Sequence, residues 1–416
     1  MQENQSEKSK EMNRRHFLKV FGGGAVASSA ALCGCSSKQE QQSASGAVGE
    51  VPTDKMTHRK NPTTGDVVSL LGYGCMRWPL KKGEDGKDQI DQEEVNRLVD
   101  YALAHGVNYF DTAPVYVQGM SEAATGAALS RHPRGSYFLA TKMSNQRNYT
   151  RENSIAMYHQ SLRNLQTDYL DYYLMHSIGG GSGIELFEDR YIKNGVLDFM
   201  LKERAEGRVR NLGWSFHGDV KVFDHVLNMG IPWDFVQIQL NYLDWKHATS
   251  RNVNAEYLYG ELQKRNIPAI IMEPLLGGRL SRVPDHSVAR LKQQRPENSV
   301  ASWAFRFAGS YEGVLTVLSG MTYMEHLQDN IRTFSPLDPV TEAEKVFLQE
   351  TADLLAKYPT VPCNDCKYCM PCPYALDIPG ILLHYNKCVN EGNVPKSTQD
   401  ANYAEARRAY LVGYDR

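Results

Sequence analysis

The sequence predicts an α/β protein built as a parallel (β/α)8 (TIM) barrel, and two observations predict it. Amphipathic stretches of helical periodicity, such as residues 93–105 and 151–165, separate short apolar runs. Strands that alternate with helices form parallel sheets, and eight such units close a barrel. The apolar runs, rich in β-branched and aromatic residues, are residues 68–73, 107–111, 137–142, 170–176, 210–216, 234–240, 268–273 and 313–319.

An open, doubly wound sheet is the alternative architecture for such a pattern. That fold would place a glycine-rich phosphate loop between the first strand and the first helix. Residues 71–77 (LGYGCMR) lack the required glycine spacing, and no helical pattern begins there. The barrel, expected to span residues 61–340, is therefore favoured.

The composition is that of a globular protein with a sizeable core. Hydrophobic residues make up 42% of the 416 residues, an ordinary fraction for a folded protein. The 46 basic and 48 acidic residues give a net charge of −2. Nucleic-acid-binding proteins usually carry a basic excess, so we expect no nucleic-acid partner.

Residues 1–35 are predicted to be a signal segment. Arg14 and Arg15 precede an apolar stretch at residues 20–32, which is shorter than the roughly 20 apolar residues that a membrane-spanning helix needs. The pattern resembles a twin-arginine export signal. Residues 32–35 (LCGC) resemble a lipobox, in which Cys35 would carry the lipid, and an ordinary signal is the alternative.

Residues 36–60 are polar and low in complexity, so we expect a flexible linker there. Together with the signal segment, this predicts a periplasmic protein or a membrane-anchored lipoprotein exported by the twin-arginine route. The membrane would be reached only through the signal segment or a lipid on Cys35. The protein would be cytoplasmic if the signal is not used.

Four polar residues fall at or just after the ends of three neighbouring predicted strands: Asp111, Tyr116, Lys142 and His176. Barrel active sites lie at the carboxyl ends of the strands. Reduction of a carbonyl by a nicotinamide needs a proton donor at the oxygen, and a tyrosine beside a lysine ammonium is expected to have a lowered pKa. An aspartate would hold the lysine, and a neutral histidine would donate a hydrogen bond to the carbonyl oxygen.

Each of the four residues also has a purely structural interpretation. Asp111 could cap a helix, Tyr116 could be a packed aromatic residue, and Lys142 could be a solvated charge. His176 could be a buried imidazole that bonds its neighbours. The combination, in this order along the chain, favours a carbonyl-reducing site.

With these four residues the chain resembles the aldo-keto reductase family, from about Ser69 to Asn330. The segments 111–126 (DTAPVYVQGMSEAATG), 161–176 (SLRNLQTDYLDYYLMH), 207–217 (GRVRNLGWSFH) and 272–278 (MEPLLGG) carry the resemblance. It implies NADPH- or NADH-dependent reduction of an aldehyde, ketone or sugar. The family's catalytic tetrad falls on Asp111, Tyr116, Lys142 and His176.

The resemblance also implies cofactor positions at later strand ends. Those next to the nicotinamide and its carboxamide are Ser215, Gln239 and Asn241, and those along the pyrophosphate are Pro274, Leu275 and Gly277. Those at the adenosine end are Ser319, Gly320, Asp329 and Asn330. No Arg or Lys occurs between Gly320 and Asn330, and a 2′-phosphate prefers a cationic partner, so the choice between NADPH and NADH stays open.

Cys75, after the first strand, is expected to line the barrel mouth rather than act as a nucleophile.

Four of the eight cysteines form the run Cys363, Cys366, Cys369 and Cys372, followed by Pro373. Thiolates at this spacing can hold a 4Fe-4S cluster, and a zinc knuckle is the alternative. Residues 341–416 resemble the ferredoxin-like extension carried by one branch of the aldo-keto reductases. With only one such run, the fourth ligand is expected to be Cys372, with Cys388 as the alternative.

Three functions are compatible with these features. The first is a carbonyl reductase, or an alcohol dehydrogenase, acting on a small molecule with a tightly held nucleotide. The second is an envelope electron-transfer protein in which the cluster couples the barrel to a redox partner. The third is a non-catalytic binding barrel with a structural cluster, and the intact tetrad argues against it.

Overall fold

A computed structural model describes residues 50–407 apart from 182, 248–253, 359, 362, 364–368, 371, 395–396 and 400–402. The chain divides into two compact units, Met1–Glu50 and Val51–Arg416. The signal segment predicted at residues 1–35, including Cys35, lies outside the described residues, as does Cys366. Everything below concerns the second unit.

Eight parallel strands form a closed barrel in the order β3-β6-β7-β8-β9-β10-β11-β12, and β12 pairs with β3 to complete it. This confirms the predicted architecture. The strands of the whole unit are β1 (His58–Lys60), β2 (Val67–Ser69), β3 (Leu71–Gly74), β4 (Leu80–Lys82), β5 (Asp88–Ile90), β6 (Tyr109–Asp111), β7 (Phe138–Met143), β8 (Leu170–Ile178), β9 (Val209–Phe216), β10 (Phe235–Gln239), β11 (Ala269–Met272) and β12 (Val314–Ser319).

Helices follow most barrel strands and cover the outside. They are α1 (Gln92–Ala104), α2 (Ser121–Leu129), α3 (Arg151–Asn164), α4 (Ile184–Phe187), α5 (Val196–Ala205), α6 (Val220–Leu227), α7 (Ala255–Gln263), α8 (Asp285–Gln294), α9 (Val300–Gly309), α10 (Met324–Phe334), α11 (Glu342–Leu355) and α12 (Ile378–Asn390). Among these described helices, none is both long and apolar enough to cross a membrane.

Strand β8 shows how the sequence directs side chains to the two faces of the barrel wall. Tyr173 and Met175 point outward into the large core between strands and helices. Tyr172 and Leu174 point inward and pack in a second cluster with Phe235 of β10. Because side chains alternate along a strand, His176 continues the inward row and reaches the carboxyl end of the barrel.

The apolar run at residues 68–73 is not one strand, as the sequence analysis expected, but two elements. Residues Val67–Ser69 pair antiparallel with His58–Lys60, so β1 lies inside the stretch predicted as linker, while β3 alone enters the barrel. Asn61, in the hairpin turn, donates to the Tyr172 hydroxyl at 3.1 Å and to Asn211 Oδ1 at 3.2 Å. These bonds fix the β1–β2 hairpin to the barrel strands.

The carboxyl-terminal segment packs back onto the barrel. Helix α11 begins with a capping box between Thr341 and Glu344, and Glu344 accepts from Arg306 of α9 at 3.0 Å. After α11, the Thr360 hydroxyl accepts a hydrogen bond from Arg279 Nη2 of the barrel. The Asn386 side chain of α12 bonds both backbone groups of Val361, at 2.7 and 2.8 Å. The residues just before the cysteine run are therefore held between the barrel and α12.

Candidate active site

The structure brings the four predicted catalytic side chains together at the carboxyl end of the barrel. Asp111 is the last residue of β6, Lys142 is near the end of β7, and His176 is near the end of β8. Tyr116 follows in the loop after β6, in a short 3-10 turn. All four are buried, and Lys142 is completely so. Adjacent strands of one barrel thus supply the whole group.

Lys142 is fixed by two oxygen atoms. Its Nζ donates to Asp111 Oδ1 at 2.5 Å and to the Thr112 carbonyl at 2.8 Å. The other carboxylate oxygen of Asp111 accepts from Gln237 Nε2 at 3.2 Å. Burial raises the pKa of Asp111, and the Lys142 ammonium offsets part of that rise. The ion pair and the bond to the Thr112 carbonyl therefore fix the position of the Lys142 ammonium.

Tyr116 lies over that ammonium, with Lys142 Nζ 4.8 Å from the centre of its ring. The turn that carries it includes Val117 and Gln118 at positive φ, which brings the chain back towards α2. Burial raises the pKa of Tyr116 well above its usual range, with further rises from Asp111 and Glu273. The pKa of Tyr116 is therefore raised overall, because burial outweighs the lowering that was expected from Lys142. The phenol keeps its proton at neutral pH and can act as a proton donor.

His176 faces Tyr116 edge-on, with ring centres 6.0 Å apart at 80°. Its Nδ1 lies 2.6 Å from Ser144 Oγ. Burial lowers the pKa of His176 well below its usual range, and nearby Lys142, His217 and Arg190 lower it further. The imidazole is therefore neutral, as the sequence analysis expected.

Of the predicted nicotinamide positions, Ser215 is the penultimate residue of β9 and Gln239 is the last residue of β10, and Asn241 follows Gln239 by two residues. Ser215 Oγ accepts from the Ser177 backbone at 2.9 Å. Asn241 bonds both within its own turn and to the loop after β11: its amide donates to Asp244 at 3.0 Å and to the Glu273 carbonyl at 3.1 Å, and its oxygen accepts from the backbone of Leu243 and Asp244. Gln239 is half-buried at the mouth. Asn241 thus shapes the turn after β10.

The predicted pyrophosphate positions Pro274, Leu275 and Gly277 lie in the loop after β11, where Gly277 and Gly278 adopt φ of 67° and 95°. A neighbouring residue in this loop, Arg279, was not predicted from the sequence. Its Nη1 is buried and, among the described residues, has no hydrogen-bond partner. The GGR sequence at 277–279 was the available signal: a cation directly after two glycines that let the backbone turn.

Of the predicted adenosine positions, Ser319 is the last residue of β12, Gly320 follows it, and Asp329 and Asn330 lie within α10. Asn330 Nδ2 donates to Ser319 Oγ at 2.9 Å, which ties the helix to the end of the strand. Asp329 accepts from the Ser299 hydroxyl at 2.7 Å. An alanine-type side chain at Gly320 would lie 3.1 Å from the side chain of Arg77. Arg77 therefore lies close to a loop that has no basic residue of its own.

Cys75 is completely buried, and its thiol contacts the Tyr73 carbonyl at 3.6 Å. Burial raises the pKa of this thiol far above its usual range. Because the thiolate is the nucleophile, Cys75 is not a nucleophile in this environment. It packs under the mouth of the barrel.

The described cysteines of the tail do not form a metal site. Within residues 50–407, gaps excepted, no three His, Cys, Asp or Glu side chains are placed to hold a metal ion. Cys363 and Cys372 are half-buried and Cys369 is exposed. Cys388 is buried on α12, with Sγ 3.5 Å from His384 Nε2, and burial raises its pKa. This environment favours a thiol over a thiolate at Cys388.

Comparison with known proteins agrees with this geometry. The sequence profile of the aldo/keto reductase family matches residues 70–342. Over 304 residues the chain is 23% identical to L-galactose dehydrogenase of Arabidopsis thaliana, covering 68% of this chain and 90% of that protein.

Solved structures give the same result. The holo form of aldo-keto reductase AKR11C1 from Bacillus halodurans is 25% identical, with a TM-score of 0.55, covering 71% of this chain and 96% of that one. An aldo-keto reductase from Klebsiella pneumoniae, solved in complex with NADPH, is 20% identical, with a TM-score of 0.55, covering 73% and 95%. The chain belongs to the aldo/keto reductase family of oxidoreductases.

Proposed function

We propose that this protein interconverts a carbonyl and an alcohol on a small molecule with a nicotinamide nucleotide, and that Tyr116 is the proton donor. The observation that carries the proposal is the buried arrangement in which Lys142 Nζ contacts Asp111 at 2.5 Å and lies 4.8 Å from the Tyr116 ring. A protonated phenol beside a fixed ammonium suits proton transfer to a carbonyl oxygen.

The chain's own groups divide the work of reduction between them. The nucleotide, when bound, supplies a hydride to the carbonyl carbon. Tyr116 gives its hydroxyl proton to the carbonyl oxygen, and Lys142 stabilises the phenolate that is left. Neutral His176 donates a hydrogen bond to the same oxygen and orients the substrate. Solvent then returns a proton to Tyr116, and the reverse sequence oxidises the alcohol.

The residues around the mouth fit a nicotinamide nucleotide. Ser215 and Gln239 are positioned at strand ends beside the tetrad. Arg279, with a buried Nη1 that makes no hydrogen bond to a described residue, offers a cation to a phosphate. The NADPH complex of the Klebsiella pneumoniae relative supports the same cofactor class. We expect fluorescence titration to give saturable binding of NADPH, NADH or both, and no binding of either would overturn the assignment.

For the substrate we propose an aldose or a related hydroxy-carbonyl compound. Support comes from the similarity to a plant L-galactose dehydrogenase. The test is a panel of aldoses, aldehydes and ketones, assayed in both directions with both nucleotides. Turnover of sugars but not of simple aldehydes is the expected result. Failure of every compound with a protein that binds nucleotide would contradict the proposal.

We also propose that Cys363, Cys366, Cys369 and Cys372 hold a 4Fe-4S cluster, on the strength of their spacing. The described cysteines alone do not fit one, and we assign the cluster no step in the reaction. Iron and acid-labile sulfide assays on anaerobically purified protein test the idea, and zinc without sulfide would point to a zinc knuckle. Ser substitution of Cys372 or Cys388 would show which is the fourth ligand.

A second candidate function, electron transfer to an envelope redox partner, is favoured by one contact. Arg279 of the loop after β11 bonds Thr360, three residues before Cys363, so the chain that leads into the cysteine run contacts the proposed nucleotide loop. Reduction of the cluster by NAD(P)H, followed in an anaerobic spectrophotometer, is the expected signature. A cluster that nucleotide never reduces would exclude this function.

For localisation we propose export by the twin-arginine route, with Cys35 as the lipidated residue. The paired Arg14 and Arg15 and the LCGC sequence support it. Cell fractionation of wild type and of an Arg14→Lys/Arg15→Lys variant is the test. Export that persists in the variant would contradict the route, and failure of a fatty-acid label to reach Cys35 would contradict the anchor.

A further inference from the structure

The residue that contacts the far side of the His176 ring is Ser144. It follows the last residue of β7 and lies two positions after Lys142. Its Oγ is 2.6 Å from His176 Nδ1, and the two side chains are 5% and 6% exposed. A neutral imidazole carries its one proton on either Nδ1 or Nε2. The partner of Nδ1 therefore decides which nitrogen can donate to a substrate.

We propose that Ser144 is a positioning residue that donates its hydroxyl proton to His176 Nδ1 and so keeps the ring proton on Nε2. This inference deepens the proposed carbonyl reduction and rests on it, since only an Nε2–H group can donate to the carbonyl oxygen while Nδ1 contacts Ser144. Among the described residues, Ser144 is the single hydrogen-bond partner of His176 Nδ1, so no other described group can set the tautomer through that atom.

The direction of the bond follows from what the serine has around it. Among the described residues, the Ser144 hydroxyl has a single hydrogen-bond partner, the His176 ring. If Nδ1 carried the proton, the serine oxygen would accept it and its own buried proton would have no acceptor there. Buried polar hydrogens are almost always bonded. Donation from Ser144 to an unprotonated Nδ1 leaves neither group unsatisfied.

A buried arginine fixes the other side of the histidine. Arg190 is 3% exposed and lies in a π-helical turn, Glu188–Ile192, in the connection after β8. Its Nη2 donates to the His176 carbonyl at 2.8 Å and its Nε to Asn145 Oδ1 at 3.1 Å. Asn145 is the neighbour of Ser144, so one guanidinium bonds the backbone of His176 and the side chain of the residue next to Ser144. Single π-helical turns are frequent at functional sites.

Burial and the surrounding groups disfavour the doubly protonated ring. Burial lowers the pKa of His176 most, and Lys142 of β7, His217 after β9 and Arg190 lower it further by opposing a positive charge on the imidazole. With the imidazolium disfavoured, only the two neutral tautomers compete. A single hydrogen bond is enough to select between two such states.

Histidine-labelled protein tests this directly. Long-range 1H–15N NMR spectra report the tautomer of each ring, and the signal missing in His176→Gln identifies residue 176. We expect the Nε2–H tautomer in wild type and in Ser144→Thr, which keeps a hydroxyl, and a mixture in Ser144→Ala. An Nδ1–H tautomer in wild type, or an unchanged spectrum in Ser144→Ala, would overturn the proposal.

Turnover gives the second readout. Loss of one hydrogen bond of this kind predicts a kcat reduced by about tenfold in Ser144→Ala, with unchanged nucleotide affinity and recovery in Ser144→Thr. Ser302→Ala, which removes another buried serine hydroxyl in α9, is the matched control for folding effects. Equal losses in both variants would contradict a positioning role. Because the NMR experiment needs no substrate, a correct tautomer in a protein without reductase activity would refute the proposed function and leave the Ser144 contact intact.

Discussion

Lys142 and Asp111 form an ion pair with an Nζ–Oδ1 distance of 2.5 Å in which the side chains are 0% and 4% exposed. Moving either charge from water into such a place is costly, and the partner's attraction returns most of that cost. The pair is therefore best understood as a device that holds an ammonium under Tyr116, with stability secondary. Removing either residue would leave the other as an unpaired buried charge and so lower the free energy of unfolding.

Replacing Lys142 with Met should destabilise the protein by about 3–5 kcal/mol, because Asp111 is left buried and unpaired. The double variant Asp111→Asn/Lys142→Met should recover a substantial part of that loss, as measured by urea unfolding and a double-mutant cycle. The exposed pair Lys82–Asp88, at 2.7 Å, is the matched control and should show no measurable coupling. Additive effects in the buried cycle would contradict the interpretation.

Tyr116→Phe should reduce carbonyl turnover by roughly 10²–10⁴-fold, because the variant lacks the proton donor. Nucleotide affinity should stay within about twofold, since the ring that packs beside Lys142 remains. Tyr257→Phe, an exposed tyrosine that bonds Asp224 at 2.8 Å, is the control and should retain full activity. Normal turnover in Tyr116→Phe would assign the proton transfer to another group.

Stability should depend on pH through His176. Its pKa in the folded protein is lowered by burial and nearby cations, so below about pH 6.5 the unfolded chain takes up a proton that the folded protein does not. Above about pH 6.5 His176 is neutral in both states and does not change the free energy of unfolding with pH. On acidification below that pH, the free energy of unfolding should fall by about 1.4 kcal/mol per pH unit. Urea unfolding of wild type and His176→Gln between pH 5 and 7 should therefore show a shallower slope in the variant. Parallel curves would mean that folding does not change the pKa of His176.

Gly126 marks a close approach between α2 and the end of α3. A Cβ there would lie 2.3 Å from the Asn164 carbonyl oxygen and 2.7 Å from Leu165 Cα, both backbone atoms. Gly126→Ala should therefore destabilise the barrel by about 1–3 kcal/mol through overpacking. Gly135→Ala is the control, because nothing lies within 4 Å of a Cβ there. An equal effect of both substitutions in thermal unfolding would contradict the steric explanation.

Arg279 should anchor the carboxyl-terminal segment. Arg279→Ala removes the contact with Thr360, so limited proteolysis should cut the chain after α11 more rapidly while the barrel remains intact. Arg290→Ala, whose partner Glu350 lies within α11, should not accelerate that cleavage. Identical cleavage rates in all three proteins would show that the segment is held elsewhere.

The sequence was most informative where a residue type and a strand end coincide. The barrel strands follow from apolar runs, and Asp111, Lys142 and His176 follow from polar residues at their ends. The division between β2 and β3 was not predictable, because one continuous apolar run, 68–73, serves both a hairpin and the barrel. Ser144 and Arg190 were missed because their roles depend on hydrogen bonds to His176 that no spacing encodes. The pKa of Tyr116 depends on burial, which the sequence does not quantify.

The contact between Arg279 and Thr360 joins the loop after β11 to the chain that leads into the cysteine run. If a nucleotide bound along that loop is released by movement of the loop, the contact would oppose that movement. We therefore expect the carboxyl-terminal segment to lengthen the residence time of the bound nucleotide. In a compartment where free nucleotide is scarce, slow release would let one molecule of cofactor serve many cycles of oxidation and reduction without being exchanged.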